Sequence, residues 1–338
     1  MDLKRLAIAA TLVVGAAVLL LDRASADYAE RQDVQEYMAE LGREYAFDAA
    51  ELRALFADAE REGTVLERIS RPAERVLKWH EYRPIFIEEP RIEQGLAFWH
   101  DNEALLSQAE ARFGVPPEYV VAILGVETRY GRITGGFRVL DALTTLAFDY
   151  PPRSAFFRRE LTEFLLLARE EGRDPRTLKG SYAGAMGYGQ FIPSSFRAYA
   201  VDFDGDGQRD IWSNRADAIG SIANYFSRHG WETGQPVAAQ VQVTDARADA
   251  VANSGLKLSH SVAELEALGV AVDGIDPRQP AALFRMDLAE GAEYWLGLNN
   301  FHVITRYNRS PMYALAVHQL SQEIRLRRDA QLAVVAGR

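Results

Sequence analysis

The stretch Pro117-Glu-Tyr-Val-Val-Ala-Ile-Leu-Gly-Val-Glu127 decides how this chain is read. Proline at the first helical turn, with Val120, Ile123, Leu124 and Glu127 at i, i+3, i+4, i+7 spacing, predicts a helix whose apolar stripe ends in a carboxyl group. Helical glutamates are ordinarily solvated, and unpaired Glu is almost never buried. Glu127 is set apart by its place on the stripe. Apolar surroundings disfavour the ionised form, so such a carboxyl is expected to keep its proton toward neutral pH. That is the requirement for a general acid at a glycosidic bond, whose oxygen leaves poorly until it is protonated.

Working outward, Lys179-Gly-Ser-Tyr-Ala-Gly-Ala-Met-Gly-Tyr-Gly-Gln-Phe-Ile-Pro193 carries glycines at 180, 184, 187 and 189. This is too many for a helix interior and predicts tight loops that can approach a ligand closely. Ser181, Tyr188 and Gln190 supply hydroxyl and amide groups suited to sugars. The glycine spacing is not that of a dinucleotide fingerprint. A purely structural turn is the competing reading.

Next, Asp202-Phe-Asp204-Gly-Asp206-Gly-Gln208-Arg-Asp210 follows the first nine positions of an EF-hand loop, with the turn glycine at the sixth. Carboxylates at alternating positions would repel one another without a cation, so Asp202, Asp204, Asp206, Gln208, Asp210 and Ser213 are the expected ligands of a structural calcium ion. Ser213 stands at the twelfth position, where a bidentate Glu is usual, which predicts weak binding, with Kd on the order of 10⁻⁴–10⁻³ M. Either Asn214 or Asp217 is placed to supply the missing oxygen.

The rest of the chain reads as mainly α, of α+β class. Helical spacing runs from about Tyr28 to Arg112, with turns near Gly63 and between Pro84 and Pro90, and recurs over Pro116 to Tyr130, Ser154 to Glu171, Ser194 to Ala200, Ala216 to His229 and Tyr313 to Arg327. Between Gln235 and Glu293 the texture changes: 237–243 alternates like a strand, with short extended pieces at 270–272 and 282–286. The expected division is a leader at 1–26, a helical region at 27–112, a core at 113–234 holding the acidic loop 202–213, a small α/β insertion at 235–293, and a segment 294–338 that rejoins the core.

The 338 residues are 48% hydrophobic and 25% charged, the composition of a globular protein with a real core. A net charge of −10 without a basic block excludes nonspecific nucleic-acid binding. The six histidines show no ligand spacing, which argues against zinc. Lys4 and Arg5, an apolar run from Leu6 to Leu21 and Ala24-Ser25-Ala26 have the form of a secretory signal peptide cleaved after Ala26, and an uncleaved anchor is the alternative. The absence of cysteine excludes disulfides, a thiol nucleophile and lipid attachment at cysteine, so a periplasmic protein that is not a lipoprotein is expected.

Gly-Val-Glu127-Thr-Arg-Tyr-Gly131, Gly180 to Pro193, the acidic loop and Arg306-Tyr-Asn-Arg-Ser310, in that order, closely resemble the membrane-bound lytic murein transglycosylase B family over about Trp79 to Leu320. The resemblance implies a lysozyme-like helical core, a helical lobe, a small β-containing lobe and an EF-hand-like calcium loop. It implies that Glu127 is the catalytic acid/base and that Ser181, Gln190, Tyr225, Tyr307, Tyr313 and, as a weaker match, Tyr82 contact saccharide, with Tyr188 a sugar-binding candidate by its place in the glycine-rich stretch. Arg153 is a substrate-anchoring candidate, with a single Arg after Pro151-Pro152 where a member of the family carries an adjacent pair.

The function expected from these residues is non-hydrolytic cleavage of the MurNAc–GlcNAc bond of peptidoglycan to give 1,6-anhydro-MurNAc ends. Glycan strands are the substrate, cell-wall synthesis proteins are candidate partners, and the chain is expected to be monomeric. One alternative is a lysozyme-type hydrolase, which needs a second carboxylate, the nearest in sequence being Asp141 and Asp149. The other is a noncatalytic, calcium-dependent wall-binding protein, which would need the groove but not Glu127.

Overall fold

The computed structural model of the protein describes residues 28–70 and 77–336. The leader at 1–26 lies outside them. In chain order the α-helices are α1 (Gln32–Tyr45), α2 (Ala49–Asp58), α3 (Gly63–Ile69), α4 (Trp79–Phe86), α5 (Glu89–Asp101), α6 (Glu103–Phe113), α7 (Pro117–Thr128), α8 (Val139–Asp149), α9 (Ser154–Glu170), α10 (Pro193–Tyr199), α11 (Arg215–Arg228), α12 (Ala246–Val251), α13 (Val262–Ala267), α14 (Asn299–Tyr307) and α15 (Pro311–Ala336). The strands are β1 (Phe137–Arg138), β2 (Lys179–Gly180), β3 (Ala238–Val243), β4 (His260–Ser261), β5 (Val270–Ala271), β6 (Pro280–Asp287) and β7 (Ala292–Gly297). The mainly helical class with a small β part is thus the observed one.

Two compact units form, and they do not follow the linear order of the chain. One takes the described residues up to Ser70 together with Gly136–Ala185; the other takes those from 77 to Gly135 together with Met186 onward.

In the first unit, α8 packs against α9 and α3. All residues of α8 except Asp149 are buried, so even its polar row of Asp141, Thr144 and Thr145 faces packed protein, and the helix escapes a reading that looks for a solvated face. Tyr37, Phe56 and Phe148 meet edge-on at ring separations of 5.6–6.4 Å, a geometry that favours the positive ring edge over the negative face. Asp149 accepts from the Tyr28 hydroxyl at 2.7 Å and pairs with Arg31 and Arg61. Asp141, which is buried where Asp149 is only partly so, is held by Arg138 at 2.8 Å and accepts from the Glu60 backbone N–H at 2.9 Å. Both acids therefore serve the packing of this unit, as buried charge must be paired.

In the second unit, α7 lies against α15 and α5, and α11 against α6. The break expected between Pro84 and Pro90 falls at Ile87 and Glu88: Pro84 sits inside α4 and Pro90 in the first turn of α5. The antiparallel sheet has strand order β4-β6-β7-β3-β5. β6 and β7 pair in register Phe284↔Trp295, and β3 extends the sheet with Val241↔Tyr294. β7 lacks clean alternation in Ala-Glu-Tyr-Trp-Leu-Gly, and its strand character comes from pairing on both sides. Val241, Val262, Leu265, Leu283 and Leu296 form the core beneath the sheet. Asn300, fully buried at the start of α14, accepts from Glu232 N at 2.8 Å and donates to the Glu232 and Gln235 carbonyls at 2.8 and 3.1 Å, fixing how the chain leaves the sheet.

His318 of α15 is buried, with Nδ1 2.9 Å from the Tyr119 hydroxyl of α7 and the two rings stacked. Burial pushes its imidazole down to about 4. The unfolded chain takes up this proton below about 6.5 and the folded chain not until about 4, so the stability is present above pH 6.5 and lost as pH falls through that window. The loss should reach about 3 kcal/mol. Denaturant melts of His318→Gln between pH 7 and 4 should fall less steeply than those of the parent, and parallel slopes would refute the assignment.

Candidate active site

The helix that ends in Glu127 is apolar all round and not only along a stripe: Val120, Val121, Ala122, Ile123 and Leu124 are all buried. Glu127, half-buried, is the next-to-last residue of α7. Gly125 leaves room for Tyr130, since a Cβ there would stand 2.6 Å from the Tyr130 oxygen. That hydroxyl donates to the Arg91 carbonyl at 2.8 Å, and the ring stacks on Phe98.

After the helix, Arg129, Tyr130 and Gly131 take φ of 50°, 61° and 86° in succession. Left-handed backbone at two non-glycine residues costs on the order of 1–3 kcal/mol each and persists only where the surroundings impose it. Here the Tyr130 N–H returns to the Leu124 carbonyl at 2.9 Å. Thr128 Oγ1 donates to the Tyr188 carbonyl at 2.9 Å and accepts from Gly131 N at 2.9 Å. A Cβ on Gly131 would lie 1.9 Å from the Tyr188 ring. Glu-Thr-x-x-Gly is therefore one mechanical piece: Thr ties the helix end to the 186–191 loop, and Gly admits the tyrosine of that loop.

The loop itself is closed by the Met186–Phe191 bridge, with N–H···O distances of 2.9 and 3.0 Å, and is anchored by Tyr188 N on the Ile211 carbonyl at 2.9 Å. Gln190, at φ 51°, spends its amide hydrogens on the Thr134 and Gly187 carbonyls at 3.0 and 2.9 Å. Its side-chain carbonyl is the group left to meet a ligand.

Tyr313, buried in the first turn of α15, donates its hydroxyl to Glu127 Oε1 at 2.5 Å. Burial, reinforced by the Glu127 charge, raises the Tyr313 and Tyr307 hydroxyls well above the usual tyrosine range, so both remain donors. Tyr307 donates to the Gly189 carbonyl at 2.5 Å and Tyr225 to the Arg306 carbonyl at 2.7 Å, with their rings 4.8 Å apart. These two hydroxyls are committed to backbone, and what the pair can offer a sugar is ring surface. Tyr82 is buried between Trp79 and Phe86. The second unit thus gathers Glu127, Tyr188, Gln190, Tyr225, Tyr307 and Tyr313 around the end of α7.

Ser181 and Arg153 belong to the first unit. Ser181 Oγ accepts from Ala183 N and Ala185 N at 3.3 and 3.1 Å, bracing its own turn. The Arg153 guanidinium lies over Phe156, 4.3 Å from the ring centre.

In the acidic loop, Asp202, Asp204 and Asp217 bring carboxylate oxygens within 4.8 Å of one another. Asp202 also accepts from Gly205 N and Gly207 N at 2.7 and 2.9 Å. Asp217 is fully buried and accepts from Phe203 N and Asp210 N, both at 2.7 Å. Burial foremost, with Asp204 and Asp202 adding, raises its carboxyl. Asn214 uses its oxygen to cap α11 and its amide to reach Asp204. Ser213 turns its hydroxyl to Asp210. Of the two residues that could compensate for Ser213, Asp217 is the one whose oxygens face the other carboxylates. An all-oxygen, multiply anionic cluster is the donor set of a hard cation.

The family motifs give Tyr313 only as a sugar contact, and nothing in the local spacing marks Thr128 as the brace. The one available signal for the Tyr313–Glu127 pair is the helix start at Ser310-Pro311, which orients the first turn but names no partner.

Residues 29–322 match the family described as the Transglycosylase SLT domain. Membrane-bound lytic murein transglycosylase B of Escherichia coli K12 is 43% identical over 317 residues, covering 89% of this chain and 85% of that protein. The X-ray structure of the catenated lytic transglycosylase SltB1 from Pseudomonas aeruginosa superposes with a TM-score of 0.86 at 53% identity, covering 89% of this chain and 100% of the other. A structure of the Escherichia coli lytic transglycosylase Slt35 in complex with calcium gives a TM-score of 0.81 at 42% identity, covering 90% and 96%. With these matches over most of its length and this arrangement around Glu127, the chain belongs to the transglycosylase SLT family of murein-cleaving lytic transglycosylases.

Proposed function

We propose that Glu127 is the single acid and base of this peptidoglycan lytic transglycosylase, and that the bond it breaks joins N-acetylmuramic acid to N-acetylglucosamine. The observation that carries the reading is the Tyr313 hydroxyl on Glu127 Oε1 at the end of a buried, mainly apolar helix. The negative end of the helix dipole favours the neutral carboxyl, and the tyrosine fixes which oxygen is free to face substrate.

Protonation of the bridging oxygen releases the GlcNAc hydroxyl while the muramoyl N-acetyl group supports positive charge at the anomeric carbon. Glu127, now a carboxylate, takes the proton of the muramoyl C6 hydroxyl, whose oxygen closes on C1. One C–O bond breaks, one forms, and the proton returns to Glu127, so no water is consumed. Ring closure within one sugar exploits the large effective concentration of an intramolecular nucleophile. A hydrolase of the usual kind would need a second carboxylate, and the two sequence candidates, Asp141 and Asp149, are held by arginines within the first unit. The substrate and the leader-like N-terminus together support action in the periplasm.

We further assign Asp202, Asp204 and Asp217 as the acidic ligands of a structural calcium ion, which would neutralise carboxylates that otherwise repel.

Glu127→Gln keeps shape and removes the titrating proton; release of anhydro-muropeptides from purified sacculi should fall about 10²–10⁴-fold. Undiminished release, or reducing muramic ends in its place, would sink the assignment. Tyr313→Phe removes a hydrogen bond that favours the charged carboxylate, so the basic limb of kcat against pH should move upward, and kcat should fall about tenfold or more. Calcium at about 100 times its Kd should stabilise the parent by about 2.7 kcal/mol. In Asp217→Asn that calcium-dependent rise in Tm should largely vanish, and an equal rise in both proteins would remove Asp217 from the ligand set.

A further inference from the structure

A second concavity of about 680 Å³ opens in the same unit as Glu127, walled by the loop that carries Ser254, Gly255, Leu256, Lys257 and Ser259 and by one side of α14 and its continuation. His302, Thr305 and Arg306 line that side at the i, i+3, i+4 spacing of one helical face, and Arg309 joins them from the extended segment after Tyr307. His302 Nδ1 meets the Leu256 carbonyl at 2.8 Å and pins the loop to the helix.

The charge of this pocket is opposite to that of the chain. Lys257, Arg306 and Arg309 all line it and no carboxylate does. All three are exposed. Among the described residues no ion pair neutralises any of them, although the chain as a whole carries a net charge of −10. Three like charges converging on a concavity repel one another, an arrangement that an anionic ligand relieves. Guanidinium groups suit carboxylates in particular, through paired N–H···O bonds. The pocket also adjoins the machinery already described: the Arg306 carbonyl receives the Tyr225 hydroxyl, and Tyr307 is the next residue.

We propose that this pocket binds the carboxylates of the short acidic peptides that murein strands carry. The proposal rests on the peptidoglycan reading above and adds to it a specificity element that recognises peptide where the Glu127 site handles sugar. Lys257 and Arg309 make first electrostatic contact, and Arg306 places the bound carboxylate next to the tyrosine pair. An electrostatic site of this kind in a negatively charged protein would offset the repulsion between enzyme and an acidic wall.

The test compares the parent with the Lys257→Gln/Arg309→Gln double variant on two substrates: peptide-bearing glycan strands, and the same strands stripped of peptide by an amidase. Anhydro ends are counted by mass spectrometry. Removing two charge-assisted contacts should raise KM about tenfold or more on peptide-bearing strands with kcat unchanged, and leave stripped strands unaffected. Arg309→Lys, which keeps the charge, should retain most of the affinity. Equal losses on both substrates would mean a structural defect, and no loss on either would mean an idle pocket; each overturns the proposal. Inorganic phosphate competing as strongly as free stem peptide would mark a general anion site and overturn it too. Failure of the parent to yield anhydro ends from either substrate would instead strike the reading of Glu127.

Discussion

The Tyr313 hydroxyl and the Glu127 carboxyl meet at 2.5 Å because two long elements, α7 and α15, are packed side by side. Neither residue could hold the other from a loop. α7 is apolar all round over Val120–Leu124 and must be surrounded there; α15 supplies part of the surround with Ala314, Leu315, Val317 and Leu320, all fully buried. The hydrophobic burial that makes this pair of helices stick is therefore the same force that delivers a phenol to a carboxyl. Polar chemistry at the end of an apolar helix is the constraint from which the rest of the second unit follows.

The strand of consequences runs next through the residues after the helix. Three successive positive φ values turn the chain sharply, and the bend is held by Tyr130 on Arg91, by Thr128 on Tyr188 and by the ring of Tyr188 over Gly131. Strain of this kind needs rigid support, and the support comes from the glycine-rich loop that also presents Tyr188 and Gln190. Gln190 is itself left-handed and fixed through both amide hydrogens. Groups so fully committed to backbone arrive at the site already oriented, which lowers the entropy lost when substrate binds.

The acidic loop shows the same economy. Asp217 holds two backbone N–H groups on either side of the loop while aiming at Asp202 and Asp204, so the side chain that shapes the loop also completes its charge. By contrast, Asp141 and Asp149, acids of similar local sequence character, are locked into arginine and tyrosine contacts in the first unit. Residue type alone does not separate the two roles; the neighbours do.

Much of this was legible in the sequence. The helical class, the α7 helix that carries Glu127, the glycine loop and the acidic loop are written in local spacing, since helix starts, φ-positive glycines and alternating carboxylates act over a few residues; the spacing carries that helix on to Tyr130, whereas it stops at Thr128. Less visible were α8, whose polar residues 141, 145 and 149 meet protein partners, and β7, whose pattern lacks polar contrast because strands pair with it on both sides. Local order likewise left open whether Asn214 or Asp217 would face the other acids, and it gave no hint that the first compact unit is made from two separated stretches. The pairing of Tyr313 with Glu127, 186 residues apart, was beyond its reach. A sequence states what each segment prefers to become; which side chains then meet is decided only when those segments bury their apolar faces against one another, because that packing acts between residues with no fixed separation along the chain.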